Sequence, residues 1–190
     1  IQYHYLATKK PEQIFQDKLI TITAFPIKHR VPACGFIVNE QPSAFKIKKE
    51  KISQYQLTIH DIIKIKNGED YIMPDGTIIP NCELTYPPVK PRKYVYCTDT
   101  LYDESIIDLI QDADLLYHEA TFSEEHIDRA IQTGHSTAKQ AATIALKANV
   151  KKLIIGHYSV RYKDLNVLLN EACSVFPQTY LAKEGLKIDI

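Results

Sequence analysis

Residues 93–120, KYVYCTDTLYDESIIDLIQDADLLYHEA, change rhythm twice. The β-branched and aromatic run KYVYC reads as a strand, DESIIDLIQDAD carries its apolar residues at helical spacing, and LLYHEAT is apolar and strand-like again. A strand, a crossover helix and a second strand form the unit of α/β architecture. The same rhythm continues downstream. Helices are predicted around 124–131 and 137–148, KKLIIGHYS (151–159) as a strand, a further helix near 165–175, and a closing strand pair in TYLA (179–182) and LKIDI (186–190). The class is α/β, a sheet covered by helices.

Upstream, LITITAFPIKH (19–29) is a β-branched run ending in His29, and CGFIV (34–38) reads as its hairpin partner across a Pro-containing turn. Between residues 39 and 92 the pattern breaks. A Lys-rich stretch FKIKKEKISQY, a short amphipathic piece TIHDIIKIKNGE, an MPDGT turn and a Pro-rich exit YPPVKPRK read as an inserted arm with few helical stripes. The first residues, IQYHYLAT, alternate like a strand without an initiator Met, so the expectation is that the protein begins upstream of Ile1.

With 190 residues, 45% of them hydrophobic, the chain can bury a core of one domain or a large part of a bigger one. Lys+Arg and Asp+Glu are 23 each, which leaves no bulk field for nucleic acid; any such binding needs a local patch. Cys34, Cys82, Cys97 and Cys173 are widely spaced and form no Cys-x-x-Cys pair, against a zinc knuckle or a disulfide framework. No run approaches the length of a membrane span, and the expected setting is a soluble cytoplasmic protein with reduced thiols.

Three apolar runs end in a possible metal ligand: His29, Asp99 and His157. Singly, each is an ordinary polar strand terminus. Together, two imidazoles and a carboxylate at strand ends suit Zn²⁺. His135 opens HSTAKQ, where Thr137 and Gln140 stand at capping-box spacing and Ser136 competes as the cap. Free amides at that helix start would attract a phosphate, and Glu119 could hold the imidazole charged. His118 and Glu119 are neighbours on a strand and point to opposite faces, so Glu119 is the one expected in the site. His4, His60 and His126 have no spacing partner. Arg161, after GHYSV, is a possible phosphate contact.

Taken in order, FPIKHRVPACGFIV, YCTDT, YHEATF, GHSTAKQAA and GHYSVRY resemble ribonuclease Z, a tRNA 3′-end endonuclease family of the metallo-β-lactamase superfamily, over nearly the whole chain. The resemblance implies an αββα sandwich, here its C-terminal portion, spanning residues 1–190 with the arm at 39–92 as a tRNA-binding exosite. It also implies two Zn²⁺ ions, a homodimer and cleavage of the 3′ trailer from precursor tRNA. His29 and His157 match zinc ligands, Asp99 the bridging carboxylate, and Glu119 and His135 the positions for proton transfer. Lys46, Lys48, Lys49, Lys51, Lys64 and Lys66 of the arm, with Arg161, are the expected RNA contacts. The family's His-x-His-x-Asp-His motif is absent, so the chain alone is expected to be inactive; Thr98 stands where a Gly is usual but keeps the Asp99 carboxylate. The competing functions are a hydrolase of a small phosphodiester or ester and a non-catalytic RNA-binding subunit. The Lys-rich arm speaks against the former, since a small substrate gains little from it.

Overall fold

The computed structural model describes Leu6 and residues 9–190, so apart from Leu6 the alternating segment at the start lies outside the described residues. The chain runs through β1 (Glu12–Gln16), β2 (Ile20–Ile27), β3 (Ala33–Glu40), β4 (Lys46–Ile47), α1 (Lys49–Gln54), α2 (Ile59–Lys66), β5 (Tyr71–Ile72), β6 (Ile78–Ile79), α3 (Asn81–Leu84) and β7 (Thr85–Tyr86). It continues with β8 (Lys93–Cys97), α4 (Ile107–Ile110), β9 (Leu115–Glu119), α5 (Ile127–Thr133), α6 (Ala138–Lys147), β10 (Leu153–Gly156), α7 (Asn166–Val175) and β11 (Thr179–Leu181). Two compact units result: Gln41–Pro91 is one, and the chain on either side of it forms the other.

The larger unit is built on a seven-stranded sheet in the order β1-β2-β3-β8-β9-β10-β11. Strands β1, β2, β3 and β8 pair antiparallel, whereas β8, β9, β10 and β11 pair parallel. Two antiparallel steps separate β2 from β8, so β2 points the same way as β8, β9 and β10. The carboxyl ends of these four strands therefore share one edge of the sheet, where open α/β sheets gather ligands. Leu101 N donates to Lys28 O at 2.7 Å and ties the loops after β2 and β8 together there.

Strand alternation sends Ile37, Val95, Cys97, Leu116, Leu153 and Ile155 to one face, where they are buried with α6 and α7. Ala138, Ala141, Ala142 and Ala145 recur along α6 at helical spacing and are fully buried. Small side chains on that stripe let the helix lie close to the strands. Leu116, Leu153 and Ile155 each lose all their exposure, and full burial of such a side chain contributes about 1.5–3 kcal/mol. The opposite face carries half-buried Ile22, Phe36, Val38, Tyr94, Tyr96, Tyr117 and Ile154. Tyr96 and Tyr117 stack there with centroids 4.8 Å apart. One helical layer and one sheet layer of the expected sandwich are thus present among the described residues.

Two local expectations change. The helix expected over 103–114 is only a 3₁₀ turn at Glu104–Ile106 followed by α4. Asp103 caps the turn by accepting from Ser105 N at 3.0 Å, and the helix stops early at Gln111, whose ψ of 140° leaves the helical region just ahead of Asp112 at φ +57°. The final pair supplies only β11, because residues 186–190 form no strand.

The Gln41–Pro91 unit has a core of its own in Leu57, Ile65 and Leu84. It holds three short helices, more than the few helical stripes read from its sequence. Thr58 and Asp61 form a reciprocal capping box that starts α2, and Asn81 Nδ2 donates to Ile65 O at 2.7 Å and Glu69 O at 2.8 Å. On the sheet side of the boundary, Asn39 and Lys93 face each other across β3 and β8, and Arg92 bonds the Glu40 carboxylate. Among the described residues no helix is long and apolar enough to cross a membrane.

Candidate active site

Asp99 and His157 follow β8 and β10, and both adopt left-handed backbone, φ +53° and +60°. For residues with a Cβ that conformation costs on the order of 1 kcal/mol and persists only where the surroundings hold it. The two turns bring His157 Nε2 to 3.1 Å from Asp99 Oδ1. With His135 they form a group whose ligand atoms all lie within 4.8 Å of one another.

Behind them sits Glu119, the last residue of β9 and fully buried. Its Oε1 accepts from Thr100 N at 2.6 Å and His135 Nδ1 at 2.9 Å. Its Oε2 accepts from Thr121 Oγ1 at 2.6 Å and Ser136 N at 3.0 Å. Burial pushes this carboxyl up, but the bonds from His135, Thr121 and Ser136 outweigh it and hold Glu119 below the ordinary range. The hydrogen bond to Glu119 in turn raises His135 above its ordinary value against partial burial. His135 is therefore biased toward the imidazolium.

His29 lies two residues beyond β2, and its Nδ1 donates to Gly134 O at 3.0 Å. Its ring stands 5.5 Å from that of His135, outside the tight group with Asp99 and His157. Gly134 ends α5 at φ +84°, and a Cβ there would approach His29 Nδ1 to 2.9 Å. Both the backbone and the packing require glycine at this position.

The expected anion site at the helix start is not open. Thr137, not Ser136, is the N-cap of α6, in a box with Gln140. Ser136 N is used by Glu119, Ala138 N by Phe122 O at 2.8 Å, Lys139 N by Glu171 Oε1 at 2.9 Å and Gln140 N by Thr137 Oγ1 at 3.1 Å. The amides that would receive a phosphate already have partners.

His118 turns to the opposite face and is buried; desolvation lowers its pKa, and its Nδ1 lies 2.7 Å from Glu119 O. Among the histidines without a spacing partner, His126 bonds locally, with Nδ1 3.2 Å from Ser123 Oγ. Arg161 is exposed and lays its guanidinium 5.0 Å above the Phe122 ring. The residues missed from sequence are Thr100, Thr121 and Ser136, all buried and all bonded to Glu119. A signal existed for Thr121, because the run LLYHEAT reads as one strand through Thr121 and residues two apart on a strand share a face, although β9 itself ends at Glu119.

The donor set fits a divalent cation. A half-exposed carboxylate and imidazole nitrogens converge, and Nδ1 of His29, His135 and His157 each meets a protein partner. That leaves Nε2 of each ring as the nitrogen available to an ion, with Nε2 of His157 already turned to Asp99 Oδ1 at 3.1 Å, an arrangement usual for metal-binding histidine.

No protein-family model matches the chain. Among curated proteins, it is 46% identical over 188 residues to "Ribonuclease Z" of Bacteroides thetaiotaomicron, covering 99% of this chain and 60% of that protein. It is 48% identical to "Ribonuclease Z" of Phocaeicola vulgatus over 181 residues, 95% of this chain and 59% of the relative. The chain spans about three fifths of the length of these relatives. Human tRNase Z, short form, superposes with a TM-score of 0.57 at 23% identity, over 95% of this chain and 46% of that one. A metallo-β-lactamase fold protein from Bacillus subtilis gives 0.60 at 20%, over 95% and 53%. Along essentially its whole length, the chain is a homologue of the ribonuclease Z proteins, built on the metallo-β-lactamase fold.

Proposed function

We propose that this chain supplies one side of a divalent-metal phosphodiesterase site that removes the 3′ trailer from precursor tRNA. The observation that carries the reading is the convergence of Asp99, His135 and His157 beside a buried carboxylate that takes four hydrogen bonds. Asp99 and His157, with His29 next to them, are the metal ligands, and Zn²⁺ is the ion this donor set suits. When bound, such ions neutralise phosphate charge and make a water nucleophilic at neutral pH. The bond to Glu119 raises His135 toward its charged form, which disfavours it as a ligand and suits it to donate a proton to the departing ribose 3′-oxygen. Arg161, in the loop after β10, is available to the RNA backbone.

The test compares two proteins. The form with the full length of the relatives is expected to cut trailer-bearing tRNA in a chelator-sensitive way, and residues 1–190 alone to leave it intact. The latter follows because the His-x-His-x-Asp-His motif, which the family resemblance assigns to the remaining ligands, does not occur in this sequence. Robust cutting by residues 1–190, or none by the longer form, overturns the reading.

The Gln41–Pro91 unit is the proposed grip on the tRNA body. Of its six candidate lysines, Lys46, Lys49, Lys64 and Lys66 are exposed. Lys48 Nζ instead donates to Cys82 O at 3.2 Å and Glu83 O at 3.1 Å, and Lys51 Nζ to Gln54 Oε1 at 2.8 Å. Changing the four exposed lysines to glutamine in the longer form should reduce the slope of log affinity against log salt by up to about three, as counterion release predicts. Lys48→Gln with Lys51→Gln should change it less. An unchanged slope for the fourfold variant rejects the grip.

A further inference from the structure

Thr121 makes more contacts than a hydroxyl can serve as a donor. Its Oγ1 lies 2.6 Å from Glu119 Oε2, 2.8 Å from His157 O and 2.8 Å from His157 Nδ1. A hydroxyl has one proton and two lone pairs. The ionised Glu119 carboxylate and the His157 carbonyl are acceptors only, and between them they claim that proton. The third contact is then satisfied only if the imidazole donates.

We propose that Thr121 is a positioning residue whose hydroxyl holds the His157 proton on Nδ1 and thereby leaves Nε2, turned toward Asp99, as the ligating atom. This rests on reading Asp99 and His157 as metal ligands, although the proton's position is a property of the chain itself. The opposing pull comes from Asp99, whose carboxylate would favour a proton on Nε2 at 3.1 Å. Solvent exposure decides between them. Thr121 is only 6% exposed, whereas the Asp99 and His157 side chains retain 41% and 40%. Water can screen or bridge two acceptors that meet at the surface, but it cannot relieve lone pairs pressed together in the interior. The buried contact therefore dictates the tautomer.

A second consequence is that the two halves of the site are joined by one side chain. Glu119 orients His135, and through Thr121 it also orients His157. A backbone link reinforces the tie, since Ser159 N donates to Thr121 O at 3.1 Å. Losing the hydroxyl would free His157 to turn without disturbing the His135 bond.

The experiment is ¹H–¹⁵N NMR of the histidine rings in residues 1–190 under mildly alkaline conditions, on the wild type, Thr121→Val and Thr121→Ser. The wild type and Thr121→Ser should show His157 protonated on Nδ1. Thr121→Val, which keeps the shape and removes the hydroxyl, should move the proton to Nε2 against Asp99. Calorimetry with Co²⁺ alone, on the same variants made in the form with the full length of the relatives, should accompany it, with affinity falling about tenfold to a hundredfold in Thr121→Val and recovering in Thr121→Ser, as for other partners of metal-binding histidines. An Nε2 proton in the wild type, or an unaltered Nδ1 signature in Thr121→Val, overturns the proposal. Absence of Co²⁺ binding in every variant counts against the metal reading, while the ring spectra still decide the role of Thr121.

Discussion

His135→Ala, introduced into a form with the full length of the relatives, is expected to slow removal of a tRNA trailer by about a hundredfold or more, the usual contribution of a positioned general acid. The expectation comes from the bond between His135 Nδ1 and a fully buried carboxylate, which favours the protonated ring. A departing ribose oxygen needs a proton badly; a nitrophenolate does not. The same substitution should therefore cost far less with a nitrophenyl phosphodiester. Equal losses on both substrates would mean that His135 holds the metal or the fold, and near-normal trailer removal would remove it from the chemistry altogether.

Glu119→Gln should lower the stability of residues 1–190 by about 3–5 kcal/mol, the range for breaking a buried charge pair from one side. The magnitude follows from the four donors that converge on the carboxylate. An amide turns one accepting oxygen into a donor and sets it against at least one of them. Urea denaturation measures the loss, and a midpoint within error of the wild type would show that the network carries little of the fold. The pH dependence is a further readout. Glu119 lies below its ordinary value of 4.5 when folded, so its contribution is present above that value and disappears as pH falls through the folded one. His135 lies above its ordinary 6.5, so its contribution is complete below 6.5 and fades as pH rises through the folded value. Together they stabilise most between about 4.5 and 6.5, and the glutamine variant should flatten both limbs.

The parts of this architecture that were legible in the sequence are those governed by periodicity. The β2–β3 hairpin and the β8, β9 and β10 strands follow from apolar alternation or apolar runs, and α6 from its capping box. Strand direction then puts His29, Asp99, Glu119 and His157 at one edge, which is why they could be named from their places at the ends of runs. Helix lengths were harder, because α4 is ended by an extended Gln111 ahead of a left-handed Asp112, and no local signal marks either. Which histidine joins Asp99 and His157 most closely was not readable, since it depends on how α5 and the turn after it deliver His135 relative to His29. Nor was the occupied state of the α6 amides. Lys139 N is taken by Glu171, a residue 32 positions away, and only the packing of α6 on α7 brings it there.

The pairing of Asn39 with Lys93 carries an implication for how such a protein diversifies. A stretch of some fifty residues leaves the sheet and returns at adjacent rungs, with Glu40 N bonded to Arg92 O at 2.9 Å. Lengthening or shortening a connection of this size changes its closure entropy by only a few tenths of a kcal/mol. Neither the register of β3 on β8 nor the strand ends bearing the chemistry need shift. On the proposed reading of this unit as the grip on tRNA, it is a detachable cassette: recognition would be rewritten by exchanging what lies between two neighbouring rungs, while the residues at the strand ends stay under separate selection.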